Sequence, residues 1–470
     1  VEAIRGLEAV EGFSMIFERI KSEGLAHLSY FIGSGDEAIV IDPRRDCQIY
    51  FDLARKQGMK IKYIFETHRN EDYVIGSLEL KELTGAEIYH GQGVDFKYGN
   101  LVRDGQEFNF GSIKLAALHT PGHTDESMSY TLADPDAGKE PFMVFTGDAL
   151  FIGDVGRIDL YGSEKAPGMA AKLHDSIFNK ILPLGDGVIL CPAHGAGSLC
   201  GGAISKREYS TLGMERIQNP ALQRTDKEEF IKFKLEEKLE FPPYFKKMEQ
   251  YNLRGPPLLK RLPVPDLLSP EEFRAEIEKG ALIVDTRMPH SFGGAHIKGS
   301  YGIWLRGMPF FAGWLLPYDK PIILVLEEND QLETALRYLV RIGYDNLAGF
   351  LSGGMTAWYM KALPIDSLSL ISVQSLKDKI EKKEEMVILD VRGDEEWKKG
   401  HIEGAKHIYV GHLEENLDKV PRGCPVVVYC DSSRRSNIAA SILKKNGYNE
   451  VYNVLGSMTA WKNAGYEVVK

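Results

Sequence analysis

The sequence predicts a multidomain chain of the α/β and α+β classes, with largely parallel sheets in its second half. Three observations predict it. At 470 residues the chain is too long for one ordinary core, and about 150 residues per domain gives roughly three domains. β-rich and helical stretches alternate over the first part, to about residue 210, as layered folds require. The last part contains an internal repeat, which fixes its architecture as two copies of one unit.

Ala38 to Asp42 and Ile61 to Glu66 are short apolar runs with β-branched residues, read as buried strands. Gly-rich turns follow later strands at Pro121-Gly122-His123, Gly147-Asp148 and Gly195-Ala196-Gly197. From Thr225 to about Asn252 the composition turns charged and amphipathic, and Pro256-Pro257 and Pro263-Val264-Pro265 then punctuate it. A helical extension followed by a linker is expected, packed on the first domain without chemistry of its own. In the repeat, Ala281 to Arg287 echoes Val387 to Arg392, Gly294 to Ser300 echoes Gly400 to Ala405, and Met355 to Trp358 echoes Met458 to Trp461. The strands Ile322 to Leu326 and Val426 to Cys430 each run into a helix, as βα units do. The expected domains are 1–220, an extension and linker over 221–265, a first copy over 266–366 and a second over 367–470.

Composition excludes several classes. A formal net charge of −10 argues against nonspecific nucleic-acid binding. No apolar run reaches the ~18 residues of a membrane span. Five cysteines, Cys47, Cys191, Cys200, Cys424 and Cys430, are too few for a disulfide scaffold. A reducing, cytoplasmic setting is expected.

Three segments stand out for chemistry: Thr67 to Tyr73, His119 to Thr124, and Thr146 to Asp148. His194, between Ala193 and Gly195, adds a fourth. A His or Asp that follows a strand beside a Gly turn can project its imidazole or carboxylate into a shared cavity. Any one alone is more often structural; the set in this order points to a metal.

These words resemble the metallo-β-lactamase superfamily, whose full signature is His-x-His-x-Asp-His followed by a His, an Asp and a last His. The resemblance covers the whole first domain. It is closest to the persulfide dioxygenase branch, as in Phe151 to Leu160 and Pro192 to Gly201. It implies an αββα sandwich. Asn70 and Tyr73 stand where the signature has imidazoles, which takes one ligand from each ion of a two-zinc site. The branch needs only the first His, the middle His and the Asp, here His68, His123 and Asp148. That triad implies a mononuclear non-haem Fe(II), because two His and one carboxylate leave adjacent positions for O2 and substrate; Zn is the alternative metal. Asp72, Tyr73 and His194 are then expected around the ligands or on the substrate side, with Tyr73 the candidate for a hydrogen bond to substrate.

The second copy carries Val426 to Cys430 followed by Asp431, Ser432, Ser433, Arg434, Arg435 and Ser436. A Cys at a strand end, a short loop and a helix N-terminus form an anion cradle that lowers a thiol pKa and stabilises a cysteine persulfide. Arg435, five positions on, offers a fork for thiosulfate or sulfite. This loop, with Asp390, Arg392 and Gly400-His401-Ile402 upstream, resembles the rhodanese family, which implies a three-layer α/β/α domain with a parallel sheet. Cys430 and Arg435 are its expected catalytic pair, with Ser432, Ser433 and Arg434 on the substrate side. In the first copy Leu326 replaces the Cys and Gln331 the Arg, with Glu327, Glu328 and Asp330 between. Carboxylates repel an anionic substrate and no nucleophile remains, so this copy is expected to be silent.

The resemblance therefore implies oxidation of a low-molecular-weight thiol persulfide (glutathione, coenzyme A or bacillithiol type) by O2 to sulfite. Sulfur transfer at Cys430 would run to or from thiosulfate. Two alternatives stand beside it: a zinc-dependent thioester hydrolase of the glyoxalase II kind, and a non-enzymatic persulfide carrier or sensor using Cys430 alone. A homo-oligomer is compatible with all three.

Overall fold

A computed structural model describes residues 15–136, 138 and 140–470. The chain forms two compact units, one running to Arg261 and including Val340–Gly343, the other comprising Leu262–Leu339 and Tyr344–Lys470.

The first unit holds two sheets. β1 (Met15–Ser22), β2 (His27–Ser34), β3 (Glu37–Ile41), β4 (Lys60–Phe65), β5 (Glu87–His90) and β6 (Asn100–Leu101) lie side by side in that order. β7 (Glu107–Phe110), β8 (Ile113–His119), β9 (Met128–Ala133), β10 (Pro141–Gly147) and β11 (Ile189–Pro192) form the second, in the order β11-β10-β9-β8-β7. The period-2 alternation of each strand builds the layers. Ile39 and Ile41 face the second sheet, packing with Phe65, Tyr130, Leu132 and Phe145. Ala38 and Val40 face outward onto Tyr50 and Ala54 of helix Gln48–Gln57 and Leu80 of helix Ser77–Thr84. Val144 and Leu190, on the outer face of the second sheet, are covered by Met169, Ala170 and Leu173 of helix Ala166–Ser176. This is the expected αββα sandwich.

The extension is two helices, not one. Lys227–Leu235 starts at Asp226, whose carboxylate accepts from Glu229 N at 3.0 Å, and buries Phe230 in the outer core. Phe245–Arg254 follows after Pro242-Pro243 breaks the run, since proline removes a donor and the residue before it avoids helix.

In the second unit, β12 (Asp266–Leu268), β13 (Leu282–Asp285), β14 (Tyr301–Gly302), β15 (Ile322–Val325) and β16 (Leu347–Leu351) form a sheet of order β12-β16-β15-β13-β14. β17 (Ser369–Ile371), β18 (Val387–Asp390), β19 (Lys406–His407), β20 (Val426–Tyr429) and β21 (Val451–Val454) repeat it as β17-β21-β20-β18-β19. Every pairing in both sheets is parallel. One face of each sheet carries a matching core, Phe273, Ile323 and Trp358 in the first copy, Leu376, Val427 and Trp461 in the second. In each copy the Asp-x-Arg motif is a buried ion pair: Arg287 Nη2 to Asp285 Oδ2 and Arg392 Nη2 to Asp390 Oδ2, both 2.6 Å. The copies interlock at helix Arg434–Lys445 of the second. Asn437 Nδ2 donates to Gly302 O at 3.0 Å, and Gly302 N donates to Ser441 Oγ at 3.0 Å.

Among the described residues no helix is long and apolar enough to cross a membrane.

Candidate functional site

Four chain reversals at strand ends in the first unit bring polar side chains to one point. Asp42 follows β3 in a left-handed conformation (φ 50°). Its carboxylate accepts from Thr67 N at 2.8 Å and from Thr67 Oγ1 at 2.7 Å, fixing the turn after β4 that presents His68. Gly147 closes β10 with φ 54°, where a Cβ would lie 2.7 Å from the Thr67 side chain; only glycine admits that approach. Asp148 follows it, His123 lies beyond β8, and His194 beyond β11. All four are buried.

The tautomers of both ligand-candidate imidazoles are set from behind. His123 Nδ1 lies 2.9 Å from the carbonyl of Arg157, and a carbonyl can only accept, so Nδ1 carries the hydrogen. His68 Nδ1 lies 2.9 Å from Thr67 Oγ1, whose own hydrogen is directed at Asp42, so it too donates from Nδ1. Each Nε2 is thereby the ring nitrogen that faces inward. His68 Nε2 has no hydrogen-bond partner. It lies 3.7 Å from Asp148 Oδ2, and His123 Nε2 lies 3.6 Å from the same oxygen. Donor atoms about 2.0–2.2 Å from one ion are spaced like this. A backbone carbonyl or polar group behind the distal nitrogen is the usual support of a metal-binding His. The residues present therefore fit a single cation held by His68, His123 and Asp148.

His194 does not join them. Its Nδ1 meets Asp148 Oδ1 at 2.7 Å and its Nε2 faces Asp72 Oδ2 at 2.9 Å. Burial alone would lower its pKa, but the two carboxylates outweigh it and hold His194 well above the usual imidazole range. His194 and His68 in turn hold Asp148 below the usual carboxylate range despite its burial.

Sequence reasoning missed Glu71. Its Oε1 lies 3.2 Å from His123 Nε2 and its Oε2 3.9 Å from His68 Nε2, inside the same cluster. Burial would lower His123; Glu71 overrides it and pushes the imidazole up to about 9. Cys200, also buried, lies beside Glu71. Its thiol donates to Glu71 Oε1 at 3.3 Å and is pushed up by burial and by Asp72 and Glu71. Cys47 and Cys191 are buried elsewhere, each thiol pushed up to about 12.

The two departures from the signature are accommodated differently. Asn70 turns back on its own loop, Nδ2 donating to His68 O at 3.1 Å. Arg69 pairs with Glu249 of the extension at 3.3 Å. Tyr73 is fully buried with its ring 4.0 Å from that of His27, and its hydroxyl has no hydrogen-bond partner. The extension, expected to be inert, buttresses this loop: Asn252 Nδ2 donates to Asn70 O at 2.6 Å and to Tyr73 O at 2.8 Å, while its Oδ1 accepts from Ile75 N at 2.9 Å. A polar residue in a charged amphipathic helix gives no sequence signal for such a role.

In the second unit Cys430 follows β20 directly and is buried. Its N–H and that of Ser433 both donate to Ser457 Oγ, at 3.1 and 3.2 Å, which curls the loop. Ser433, at φ 69°, starts helix Arg434–Lys445, whose first N–H groups lack intrahelical acceptors. Cys430 Sγ lies 3.4 Å from Ser436 Oγ, which donates to Asn453 Oδ1 at 2.6 Å. Ser432 and Arg434 are exposed beside the loop. The fork of Arg435 is held by Glu396 through bonds of 2.5 and 2.7 Å, so an anion at the loop shares this guanidinium with a carboxylate. In the first copy Leu326 is buried and Glu327 reaches across to the segment after β13, accepting from Ser291 Oγ at 2.8 Å and Met288 N at 3.3 Å.

The family model described as the metallo-beta-lactamase superfamily matches residues 23–194, and the model described as rhodanese-like domain matches 269–361 and 372–464. The chain is similar to the mitochondrial persulfide dioxygenase ETHE1 of Bos taurus, 31% identical over 212 residues, which cover 43% of this chain and 74% of that protein. It is similar to the putative sulfur carrier protein YrkF of Bacillus subtilis, 38% identical over 95 residues, 20% of this chain and about half of that one (51%). Among solved structures, a metallo-beta-lactamase from Staphylococcus aureus subsp. aureus COL superposes with a TM-score of 0.65 at 31% identity, covering 72% of this chain and 99% of that one.

Proposed function

We propose that this chain, which belongs to the metallo-β-lactamase superfamily through its first domain and carries two rhodanese-like domains behind it, is a persulfide dioxygenase with a sulfurtransferase arm. Its substrate is a low-molecular-weight thiol persulfide of the glutathione, coenzyme A or bacillithiol type. O2 oxidises the outer sulfur to sulfite, with the third sulfite oxygen from water, and the parent thiol leaves.

One observation carries the reading: the Nε2 atoms of two imidazoles converge on Asp148 Oδ2 from 3.7 and 3.6 Å in a buried cluster. A mononuclear Fe(II) held by His68, His123 and Asp148 supplies the redox chemistry that O2 needs. The chain's own residues prepare that centre. Thr67 and the Arg157 carbonyl orient the imidazoles. His194, charged between Asp148 and Asp72, contacts both oxygens of Asp148, at 2.7 and 3.0 Å, and so holds that carboxylate beside them. The unpartnered hydroxyl of Tyr73 is available to donate to a substrate. At the other site the Cys430 thiolate attacks the outer sulfur of a persulfide or of thiosulfate, forming a cysteine persulfide and releasing thiol or sulfite. All five cysteines are unpaired, which suits a reducing, cytoplasmic setting.

Oxygen uptake with glutathione persulfide, alongside metal content, tests this in wild type, His123→Ala and Cys430→Ser. Uptake should disappear with His123→Ala and persist in Cys430→Ser, which should lose thiosulfate formation. Uptake indifferent to His123 sinks the iron reading, and zinc at two equivalents per chain supports hydrolysis instead.

A further inference from the structure

We propose that Glu71 is a protein donor to the metal centre, so that this chain holds its ion with two imidazoles and two carboxylates. The inference rests on the reading of His68, His123 and Asp148 as ligands.

Three observations carry it. First, both imidazoles spend Nδ1 on Thr67 and on the Arg157 carbonyl, so Nε2 of each ring is the nitrogen left for the cluster. His123 Nε2 faces both oxygens of Glu71, 3.2 Å from Oε1 and 3.4 Å from Oε2, and the orphaned, buried His68 Nε2 points at the same place. A proton holds the His123–Glu71 contact when no ion is bound, and a cation can take that position. Second, the separations match one coordination sphere: Glu71 stands 3.2 and 3.9 Å from the imidazole nitrogens and Asp148 3.6 and 3.7 Å. Glu71 and Asp148 also converge with Cys200. Third, Glu71 makes no ion pair with a Lys or Arg among the described residues, although a buried carboxylate needs a compensating charge.

The residue also answers a deficit in the chain. The imidazole expected at position 70 is an asparagine that bonds to His68 O, and its neighbour Glu71 reaches the cluster in its place. Two carboxylates neutralise a divalent ion and favour metals that prefer oxygen donors over those that prefer thiolates. Four donors leave two of about six positions for non-protein ligands, enough for O2 and a persulfide together.

Cobalt(II) binding to the full-length apoprotein tests this without turnover, through its d–d absorption bands. Wild type should bind one Co(II) per chain. Glu71→Gln, close in volume, should weaken binding by roughly 10–100-fold or more and shift the bands. Glu71→Asp, which keeps the carboxylate, should recover part of the loss and provides the comparison should Glu71→Gln fail to fold by circular dichroism. His123→Ala is the control for the centre itself. Wild-type affinity and bands in Glu71→Gln, with binding lost in His123→Ala, overturn the role of Glu71 and leave the triad standing. Binding unchanged in both variants, or absent from wild type, overturns the triad and the inference with it.

Discussion

The side-chain amide of Asn252 closes the turn that carries His68 by donating to the carbonyl of Asn70 at 2.6 Å. The same side chain serves Tyr73 O and Ile75 N, so three buried main-chain groups depend on one residue of the extension. Asn252→Ala leaves them unpaired, at about 1–3 kcal/mol for a buried group without a partner. We expect a lower urea midpoint for the first unfolding transition and a loss of bound metal at matched concentration. Asn252→Ala with wild-type midpoint and metal content would show that the extension is passive.

Gly147→Ala should act on the same loop from the opposite side. The new Cβ must adopt φ 54° and meets Thr67 at 2.7 Å, displacing the hydroxyl that orients His68 Nδ1. Left-handed strain in a non-glycine residue costs about 1–3 kcal/mol. Thermal unfolding should show that loss, and metal stoichiometry should fall although no ligand has been changed.

The fold was legible because it rests on unbroken apolar runs and a repeat. Ala38 to Ile41 is such a run, buried on both faces, and Asp285 and Asp390 mark the same place in two copies. The site was legible where it follows strand ends beside glycine. Glu71 was not, since a carboxylate in a polar loop has the same sequence appearance whether solvated or turned inward. The same holds for Glu396, whose pairing with Arg435 spans 39 positions, and for Asn252. The break of the extension into two helices is the exception: Pro242-Pro243 was there to be read.

The Glu396–Arg435 bridge gives a pH dependence with a definite sign. Burial would raise Glu396, but Arg435 outweighs it and holds the carboxyl below its ordinary value of 4.5. A depressed carboxylate stabilises the folded state fully above that ordinary value and loses the contribution as pH falls through the lower folded one. Glu396 is partly exposed, so the contribution is at most about 1 kcal/mol. Urea midpoints of wild type and Glu396→Gln should differ at pH ~7 and converge in acid below the ordinary carboxylate range. A gap that widens on acidification refutes the assignment.

The first copy should not regain activity by recovering a cysteine. In a Cys430→Ser background, Leu326→Cys places a thiol beside Glu327, a carboxylate tied to Ser291 and Met288 that repels thiosulfate. Thiosulfate:cyanide sulfurtransferase assays should stay at background. Measurable turnover would show that the copy is silent only for want of sulfur.

Gly302 gives the first copy a structural task whatever its chemistry. A Cβ there would lie 2.6 Å from Asn437 Nδ2 and 3.0 Å from Phe292, and both of its main-chain polar groups are bound to the helix that follows Cys430. The strand edge at Gly302 therefore works as a mould for the helix of the second repeat. Excising the first repeat to make a minimal sulfurtransferase would bare that helix and its buried Asn437 to water, so the second repeat is best regarded as half of an inseparable pair.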